Sequence, residues 1–493
     1  MSTIVLVLSF AALPVAAFAP APHFAHAPAG EAVVAKAGEP VAGQEHARRC
    51  GIGAEFHGGR RAKLAAELRK TTPNGLVLVR GLPSQRDYVR FQQDKTFWYL
   101  TGVESPNATL LLDLATGDEI LFLPKPNAMK ERWDGEQWDS EDAWIREVTG
   151  FREVRPGSEL IGLLKDRAAV AKVVWISKDP WITLSGCHDL AGPYDRAIER
   201  DPLDGRTNRE NALQDRLEEK FGVEVRDCAP VLAEMRRVKT PEELAALRRA
   251  ADVGARSMAE AIRSTRVGLT ERHLDAVMGF VHRAEGAAGP AYHGIVGCGP
   301  NALILHYSQV GRELRAGEMV LIDYAPEFDH YVSDITRSWP VDGKFTPRMA
   351  EIYDAVLASQ AAGIAETRPG KTMADVEKAC RRVLSERGML KMLPHGTCHY
   401  VGMEVHDVGE NAKPFVPGVV FTIEPGVYEE ATGIGVRIED VVVVTETGCE
   451  VITNGVTKDR AELTRLVAED GILDRWPNEV PLPEPLSTTK APR

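Results

Sequence analysis

Short apolar runs alternate with amphipathic stretches in the first half of the chain. Four runs rich in branched residues are typical of buried strands: 76–79, 109–113, 120–123 and 173–176. Three amphipathic stretches predict helices that separate some of these strands: 60–70, 140–149 and 209–221. The pattern therefore predicts an α/β domain with a mixed sheet over residues 46–228.

A different pattern begins after Lys239. Thr240-Pro241-Glu242-Glu243 predicts a capped helix start with proline in the first turn, and Thr270 opens a second helix. Thr346-Pro347 and Thr372 open another pair of helices further along the chain. Sheet-like sequence follows each pair, which predicts an α+β domain over residues 229–475 built from two similar parts.

The chemistry that follows each helix pair is also repeated. In both copies a histidine precedes a glycine, which opens an apolar strand ending in a carboxylate, and a second carboxylate comes later. These residues are His306, Gly317, Asp323 and Asp334 in the first copy and His406, Gly418, Glu424 and Glu439 in the second. The repetition predicts two halves packed about a pseudo-twofold axis, with their acidic strand ends facing each other.

Four carboxylates that meet inside a sheet-lined cavity need neutralisation. Two unit charges 4 Å apart repel by about 4 kcal/mol at an effective dielectric constant of 20. Two divalent cations would offset the four charges, and His399 would add one imidazole. Such a donor set suits Mn²⁺ best, with Co²⁺, Fe²⁺ or Zn²⁺ as alternatives. The competing interpretation is that each acid is an ordinary solvated strand end.

Composition excludes some classes of function. A chain of 493 residues is long for one core and predicts two domains. Its net charge of −12 disfavours nucleic acid as a partner. Its seven cysteines are scattered singly, which predicts neither a zinc knuckle nor a disulfide framework.

The two ends of the chain differ from the rest. Residues 1–45 begin with an apolar run, Ile4 to Ala19, that is too short to span a bilayer comfortably and resembles the core of a signal peptide. They predict a targeting segment and linker, for a periplasmic or secreted protein; a plastid or other organelle, or the cytoplasm, is the alternative. Residues 476–493 are rich in proline and predict a disordered tail.

Several local motifs carry a family resemblance over residues 50–455. Among them are Ser333-Asp334-Ile-Thr-Arg337, His395-Gly-Thr-Cys-His399, Val405-His406-Asp407-Val-Gly409, Ile423-Glu424-Pro-Gly426, Arg437-Ile-Glu439-Asp440 and, near the N-terminus, Asp94-Lys-Thr-Phe-Trp98-Tyr-Leu-Thr-Gly102. They resemble the pita-bread metallopeptidases, in particular the aminopeptidase P family. The last motif resembles a signature of the N-terminal domain of that family.

The resemblance implies a role for each candidate residue. Asp323 would bind one metal with both oxygens, Asp334 and Glu439 would bridge two metals, and His399 and Glu424 would bind one metal each. Glu424 would also act as the general base. His306 would stabilise the oxyanion, His406 would contact the substrate, His395 and Tyr292 would shape its pocket, and Arg437 would hold the bridging carboxylates.

The resemblance also implies an activity. We expect a dinuclear aminopeptidase that hydrolyses the bond before proline at a peptide N-terminus, using a hydroxide that bridges the metals. Its partners would be peptides with proline at the second position, and the chain would form a homo-oligomer without a stable membrane span. The main alternative is an Xaa-Pro dipeptidase. A creatinase-like hydrolase or an inactive pita-bread binding module is disfavoured, because all five metal-binding residues are present.

Overall fold

The computed structural model describes residues 52–475, and we refer to residues 52–228 as the N-terminal region. Its elements are α1 (Ala54–Arg69), β1 (Leu76–Arg80), α2 (Lys95–Thr101), β2 (Thr109–Asp113), β3 (Glu119–Leu123), α3 (Ala128–Asp134), α4 (Ile145–Thr149), β4 (Glu153–Pro156), α5 (Leu160–Ala171), β5 (Val173–Ile176), α6 (His188–Arg200), α7 (Arg209–Phe221) and β6 (Glu224–Asp227). All four predicted strands are present. The helix predicted over 140–149 is only its last turn, because Asp139 and Asp142 accept backbone hydrogen bonds that form a turn instead.

The strands of the N-terminal region form one sheet in the order β4-β3-β2-β1-β5-β6. The β1–β2 and β2–β3 pairs are antiparallel, whereas β3–β4, β1–β5 and β5–β6 are parallel. The predicted mixed sheet is therefore confirmed. Helices α5 and α7 pack their Leu164 and Leu217 side chains into an apolar cluster with β1, β3 and β5.

The C-terminal region, residues 229–475, contains two similar parts. After α8 (Ala229–Arg237), the first repeat (residues 241–340) contains α9 (Pro241–Arg263), α10 (Glu271–Ala284), β7 (Gly289–Pro290), β8 (Ile295–Cys298), β9 (Met319–Asp323), β10 (Pro326–Phe328), β11 (Tyr331–Val332) and β12 (Thr336–Pro340). The second repeat (residues 347–451) contains α11 (Pro347–Glu366), α12 (Met373–Glu386), β13 (Val420–Ile423), β14 (Gly426–Glu429), β15 (Ile434–Arg437), β16 (Asp440–Val444) and β17 (Cys449–Val451), and α13 (Arg460–Val467) follows it. Each repeat is a helix pair followed by a sheet, as predicted, and the paired strands are antiparallel.

The helix starts follow from local sequence. The Thr240 hydroxyl accepts from the Glu243 backbone N–H at 3.4 Å, and the Glu243 carboxylate accepts from the Thr240 N–H at 2.8 Å. Thr346 and Thr372 cap α11 and α12 through their side chains. These contacts satisfy N–H groups that have no partner inside the helix.

Strand pairing brings the acidic positions to the inner ends of short sheets. In the first repeat β9 lies between β8 and β12, and Asp323 is opposite Thr336. In the second repeat β13 pairs with β16, and Ile423 is opposite Asp440. Glu424 comes directly after the paired Ile423, and Glu439 comes directly before the paired Asp440. Both glutamates therefore lie at the same end of the β13–β16 pair.

The N-terminal and C-terminal regions share an apolar core and buried polar contacts. Trp98 on α2 stacks on His330 at 4.2 Å between ring centroids, and Lys95 forms a 2.7 Å ion pair with Glu327 in which both side chains are buried. The described residues belong to one compact unit. The division into domains at 228–229 stays a prediction.

The predicted targeting segment (residues 1–45) and the predicted disordered tail (residues 476–493) lie outside the described residues. Across residues 52–475, no helix combines the length and the apolar character needed to span a bilayer.

Candidate metal centre

The strand ends of the two repeats bring acidic side chains and one imidazole to a common point. Asp334, His399 and Glu439 each offer a ligand atom, and these atoms lie within 4.8 Å of one another. His399 Nε2 lies 3.5 Å from Asp334 Oδ2 and 3.3 Å from Glu424 Oε1. The structure thus brings four of the five predicted metal-binding side chains together directly.

Asp323, the fifth, joins this group through two polar neighbours. The Tyr292 hydroxyl lies 2.5 Å from Asp323 Oδ1 and 2.5 Å from Asp334 Oδ1. Arg437 donates from Nη2 to Asp323 Oδ2 at 2.6 Å and from Nη1 to the Tyr428 hydroxyl at 2.9 Å. Because Arg437 is a permanent cation, it offsets part of the charge that Asp323 carries.

Contacts between the repeats fix the carboxylates relative to one another. The Thr336 hydroxyl donates to Glu439 Oε2 at 2.6 Å and accepts from Arg437 Nε at 3.2 Å. Arg337 donates to the Glu439 carbonyl at 2.6 Å and pairs with Asp440 at 2.8 Å, and both of these side chains are fully buried. The site therefore depends on correct packing of one repeat against the other.

Burial and mutual repulsion shift the pKa values of the acids. Burial, then the charge of Asp323, raises the pKa of Asp334 well above its ordinary value. Burial and the charges of Asp334 and Glu424 do the same for Glu439. Burial raises the pKa of Glu424 to about 8, against the opposing charge of Arg437. Burial and mutual repulsion thus disfavour the ionised form of these three acids, and a cation bound between them would favour it.

The donor set fits divalent cations. His399 Nδ1 lies 3.1 Å from the Tyr400 carbonyl, which can only accept, so Nδ1 carries the proton in the neutral ring. Burial lowers the pKa of His399 well below its ordinary value, so Nε2 presents a lone pair to Asp334 and Glu424. A lone pair that faces two carboxylates needs a proton or a cation between them. Oxygen-rich sites with one imidazole suit hard or borderline ions.

His395 and Tyr428 form a second polar layer beside Glu424. His395 Nδ1 lies 3.8 Å from Glu424 Oε2, and its Nε2 lies 2.9 Å from the Tyr428 hydroxyl. Burial and the charge of Arg437 lower the pKa of His395 to about 4, so it is neutral at pH 7. Burial raises the pKa of Tyr428 to about 12.

The remaining two predicted histidines lie on loops around this cluster. His306 is in the loop between β8 and β9, where burial lowers its pKa despite the opposing effect of Asp323. His406 is half-exposed, and its ring lies 4.0 Å from the His399 ring between centroids. Both histidines therefore lie near the acidic cluster, but neither directly contacts a carboxylate from the two repeats.

Comparisons with known proteins agree with this geometry. Residues 245–446 match the model of metallopeptidase family M24, and residues 57–175 match the N-terminal domain of aminopeptidase P. The Xaa-Pro aminopeptidase of Escherichia coli strain K12 is 33% identical over 412 residues, which cover 76% of this chain and 89% of that protein. The chain belongs to metallopeptidase family M24.

Two further relatives support this assignment. The solved structure of aminopeptidase PepP from Pseudomonas aeruginosa has 31% identity and a TM-score of 0.71, covering 85% of this chain and 98% of its own. The mitochondrial intermediate cleaving peptidase 55 of Arabidopsis thaliana is 30% identical, covering 85% of this chain and 83% of its own. The predicted pita-bread architecture is therefore confirmed, and this M24 protein is a metallo-aminopeptidase.

Two residues of the site in this M24 protein, Tyr428 and Thr336, were not predicted from the sequence. Tyr428 lies on β14, which pairs with β15 so that Gly426 is opposite Arg437. Tyr428 is two residues from Gly426 and so shares its face, diagonal to Arg437. Predicted hairpin register alone could have placed this hydroxyl beside the arginine. Thr336 lies inside the motif Ser333–Arg337, but its contact with Glu439 joins residues 103 positions apart and has no local sequence signal.

Proposed function

We propose that this metallo-aminopeptidase hydrolyses the bond between the first residue of a peptide and a proline at the second position. The observation that carries the proposal is the convergence of buried carboxylates from both repeats on His399. The resemblance to Xaa-Pro aminopeptidases over most of the chain supports the specificity for proline.

We propose the five predicted side chains as the ligands of two divalent cations: Asp323, Asp334, His399, Glu424 and Glu439. When bound, two such ions would neutralise the carboxylates and would lower the pKa of a water molecule, so that it could act as a nucleophile near neutral pH. Mn²⁺ fits the oxygen-rich donor set best, with Co²⁺, Fe²⁺ or Zn²⁺ as alternatives.

Glu424 is the proposed general base. Its carboxylate lies between His399 and His395, and the Thr422 hydroxyl donates to Oε1 at 3.3 Å. A base in this position takes a proton from the attacking water and returns it to the proline nitrogen as the peptide bond breaks. The neutral His395 beside it cannot compete for that proton at neutral pH.

Loop histidines would handle the substrate. His306, on the loop of the first repeat, is proposed to donate to the oxygen that develops negative charge as the scissile carbonyl becomes tetrahedral. His406, on the loop of the second repeat, is proposed to contact the peptide beside the scissile bond. Tyr292 and His395 would shape the pocket, while Arg437 holds Asp323 in position.

The experiment that tests this function compares substrates of two lengths. After loading with Mn²⁺, the protein should cleave an Xaa-Pro-Xaa tripeptide with a higher kcat/KM than the matching Xaa-Pro dipeptide. A matched peptide with alanine in place of proline should be cleaved far more slowly. Strong preference for the dipeptide would instead assign the Xaa-Pro dipeptidase activity, and equal cleavage of the alanine peptide would remove the proline specificity.

Compartment and assembly remain proposals. The similarity to a mitochondrial peptidase supports the organelle alternative for the segment 1–45 over a periplasmic or secreted destination. A homo-oligomer is proposed from the family resemblance.

A further inference from the structure

The first turn of α6, in the N-terminal region, reaches the proposed active site. Asp189 Oδ2 lies 2.6 Å from His406 Nδ1, although the two residues are 217 positions apart. The Asp189 side chain is 68% exposed and that of His406 is 36% exposed, so this pair lies at the solvent-facing rim. The rings of His406 and His399 lie 4.0 Å apart between centroids, so the Asp189 carboxylate is one imidazole ring away from a proposed metal ligand.

The residue before Asp189 anchors this turn from the inside. The His188 backbone N–H donates to Glu404 Oε2 at 2.9 Å, and its ring contacts the same carboxylate. Glu404 is fully buried and also accepts from Arg236 Nη2 at 2.7 Å. α6 buries none of its own side chains, so this anchor fixes where Asp189 stands.

The loop that carries His406 is anchored by the same set of buried charges. Asp407, next to His406, pairs with Arg236 at 2.5 Å and with Lys239 at 3.1 Å. Gly402 permits this close packing, because a Cβ there would overlap the Asp407 carboxylate. The backbone on both sides of His406 is therefore held by buried contacts, and its ring lies beside the His399 ring with Nδ1 in contact with Asp189.

We infer that Asp189 is a positioning residue for His406, supplied to the active site by the N-terminal region. This inference rests on the proposed function, which gives His406 its contact with the peptide. A carboxylate accepts from Nδ1–H, so the neutral ring keeps its proton on Nδ1 and directs Nε2 away from Asp189. Carboxylate partners of this kind commonly fix the orientation and tautomer of functional imidazoles.

The test is a double-mutant cycle with a conservative rescue. Asp189→Ala should lower kcat by about 10- to 100-fold with a smaller change in KM, the range seen when such partners are removed. Asp189→Asn retains an oxygen acceptor and should keep at least about a third of the wild-type kcat. In a His406→Ala background, Asp189→Ala should change kcat less than about 2-fold, because the positioned ring is absent.

Glu199→Ala is the matched control, because it removes the same charge from an exposed position on the same helix. It should leave kcat unchanged. An equal loss from Asp189→Ala in both backgrounds, or no loss in the wild-type background, would overturn the inference.

A second measurement needs no substrate. In histidine-labelled protein, the ¹⁵N shift of His406 Nδ1, assigned by its loss in His406→Ala, should report a protonated nitrogen in the neutral ring. Asp189→Ala should move this signal toward mixed tautomers, whereas Glu199→Ala should not. An unmoved signal would overturn the positioning role even if the protein cleaves Xaa-Pro peptides, and a moved signal would support it even if proline specificity fails.

Discussion

The two repeats share a backbone plan but contribute different chemistry. The first repeat supplies Asp323 and Asp334, which share the Tyr292 hydroxyl, and Asp323 also pairs with Arg437. The second repeat supplies Glu424 and Glu439 together with the imidazoles of His395, His399 and His406. The first repeat thus contributes two aspartates to the cluster, while the second repeat adds imidazoles beside its own two glutamates.

Each repeat also uses a glutamate on its second helix to hold the loop of its histidines. Glu271 on α10 accepts from Cys298 N and Arg312 N at 2.8 Å each, from Asn301 at 2.9 Å and from Tyr307 at 3.1 Å. These residues bracket His306. The counterpart on α12 accepts twice from Thr397, as described below.

Glu377 on α12 accepts from the Thr397 N–H and hydroxyl at 2.6 Å each, and Arg381 contacts the same carboxylate. These hydrogen bonds lower the pKa of Glu377 against the effect of burial. Its side chain is 27% exposed, whereas Glu271 is fully buried. A repeated backbone can therefore keep one supporting device while its catalytic side chains diverge.

The largest expected effect comes from the proposed general base, which the second repeat supplies. Glu424→Gln retains an oxygen ligand but cannot accept a proton, so kcat should fall by about 10²- to 10⁴-fold with Mn²⁺ in excess. Bound Mn²⁺ should be measured alongside, so that loss of metal is not mistaken for loss of the base. Unchanged turnover would refute the role of Glu424.

Removing the metal should affect both repeats together. A chelator should abolish activity, and adding Mn²⁺ at about 100 times its Kd should stabilise the fold by about 2.7 kcal/mol for each site filled, since the ion binds only the folded state. Thermal unfolding with and without Mn²⁺ measures this. Glu439→Gln should reduce the Mn²⁺-dependent increase in Tm to less than half of the wild-type increase. A wild-type Tm that does not change on adding Mn²⁺ would contradict the proposed site.

Arg437→Met tests whether one repeat positions the ligand of the other. Loss of the 2.6 Å contact leaves Asp323 without its buried cation, so Mn²⁺ affinity should weaken by about 10- to 100-fold. Mn²⁺ titration by calorimetry measures the change. Arg248→Met, at an exposed ion pair with Glu450, is the control and should leave the affinity unchanged.

The two loop-holding glutamates should differ in their contribution to stability. Glu271→Gln leaves buried donors without partners and should lower the free energy of unfolding by about 1–3 kcal/mol. Glu377→Gln should cost less, because water can replace part of its contacts. Urea unfolding of both variants gives the order, and a larger loss for Glu377→Gln would reverse the comparison.

A smaller difference concerns how each helix pair is joined. His282 Nε2 lies 2.8 Å from the Ser257 hydroxyl in the first repeat, whereas Ser359 donates to the Cys380 carbonyl at 2.9 Å in the second. Burial lowers the pKa of His282 to about 4, so the unfolded chain binds its proton first as pH falls. Stability should therefore decrease between about pH 6.5 and pH 4, by at most about 1.4 kcal/mol per pH unit for this group.

His282→Gln checks this slope. The variant should lose stability less steeply than the wild type across the same pH window in urea unfolding. Parallel slopes for the two proteins would show that His282 is not the group responsible.

Helices and strands that have a local signal in the sequence could be predicted from it. The strands were visible as apolar runs, and the helix starts were visible as capping threonines. The short helix α2 was missed because its seven residues are almost all buried and show no amphipathic period, although Asp94 and Gly102 mark its two ends. Its caps were the available signal.

The supporting residues of the site were harder to predict because their partners are remote in sequence. Glu271 stands in the first turn of a helix, where an acid is favoured by the helix dipole in any case. His188 and Asp189 meet Glu404 and His406 only after the N-terminal region packs on the second repeat. Repetition predicted the four acids that we propose as metal ligands, but contacts between regions have no such repetition to reveal them.

The central claim is that the two repeats together hold two cations. Anomalous diffraction from crystals soaked in Mn²⁺ tests it most directly. The account predicts two peaks per chain, about 3.5–4 Å apart, with Asp334 and Glu439 in contact with both and His399 in contact with one. A single peak, or two peaks that each contact ligands from only one repeat, would contradict it.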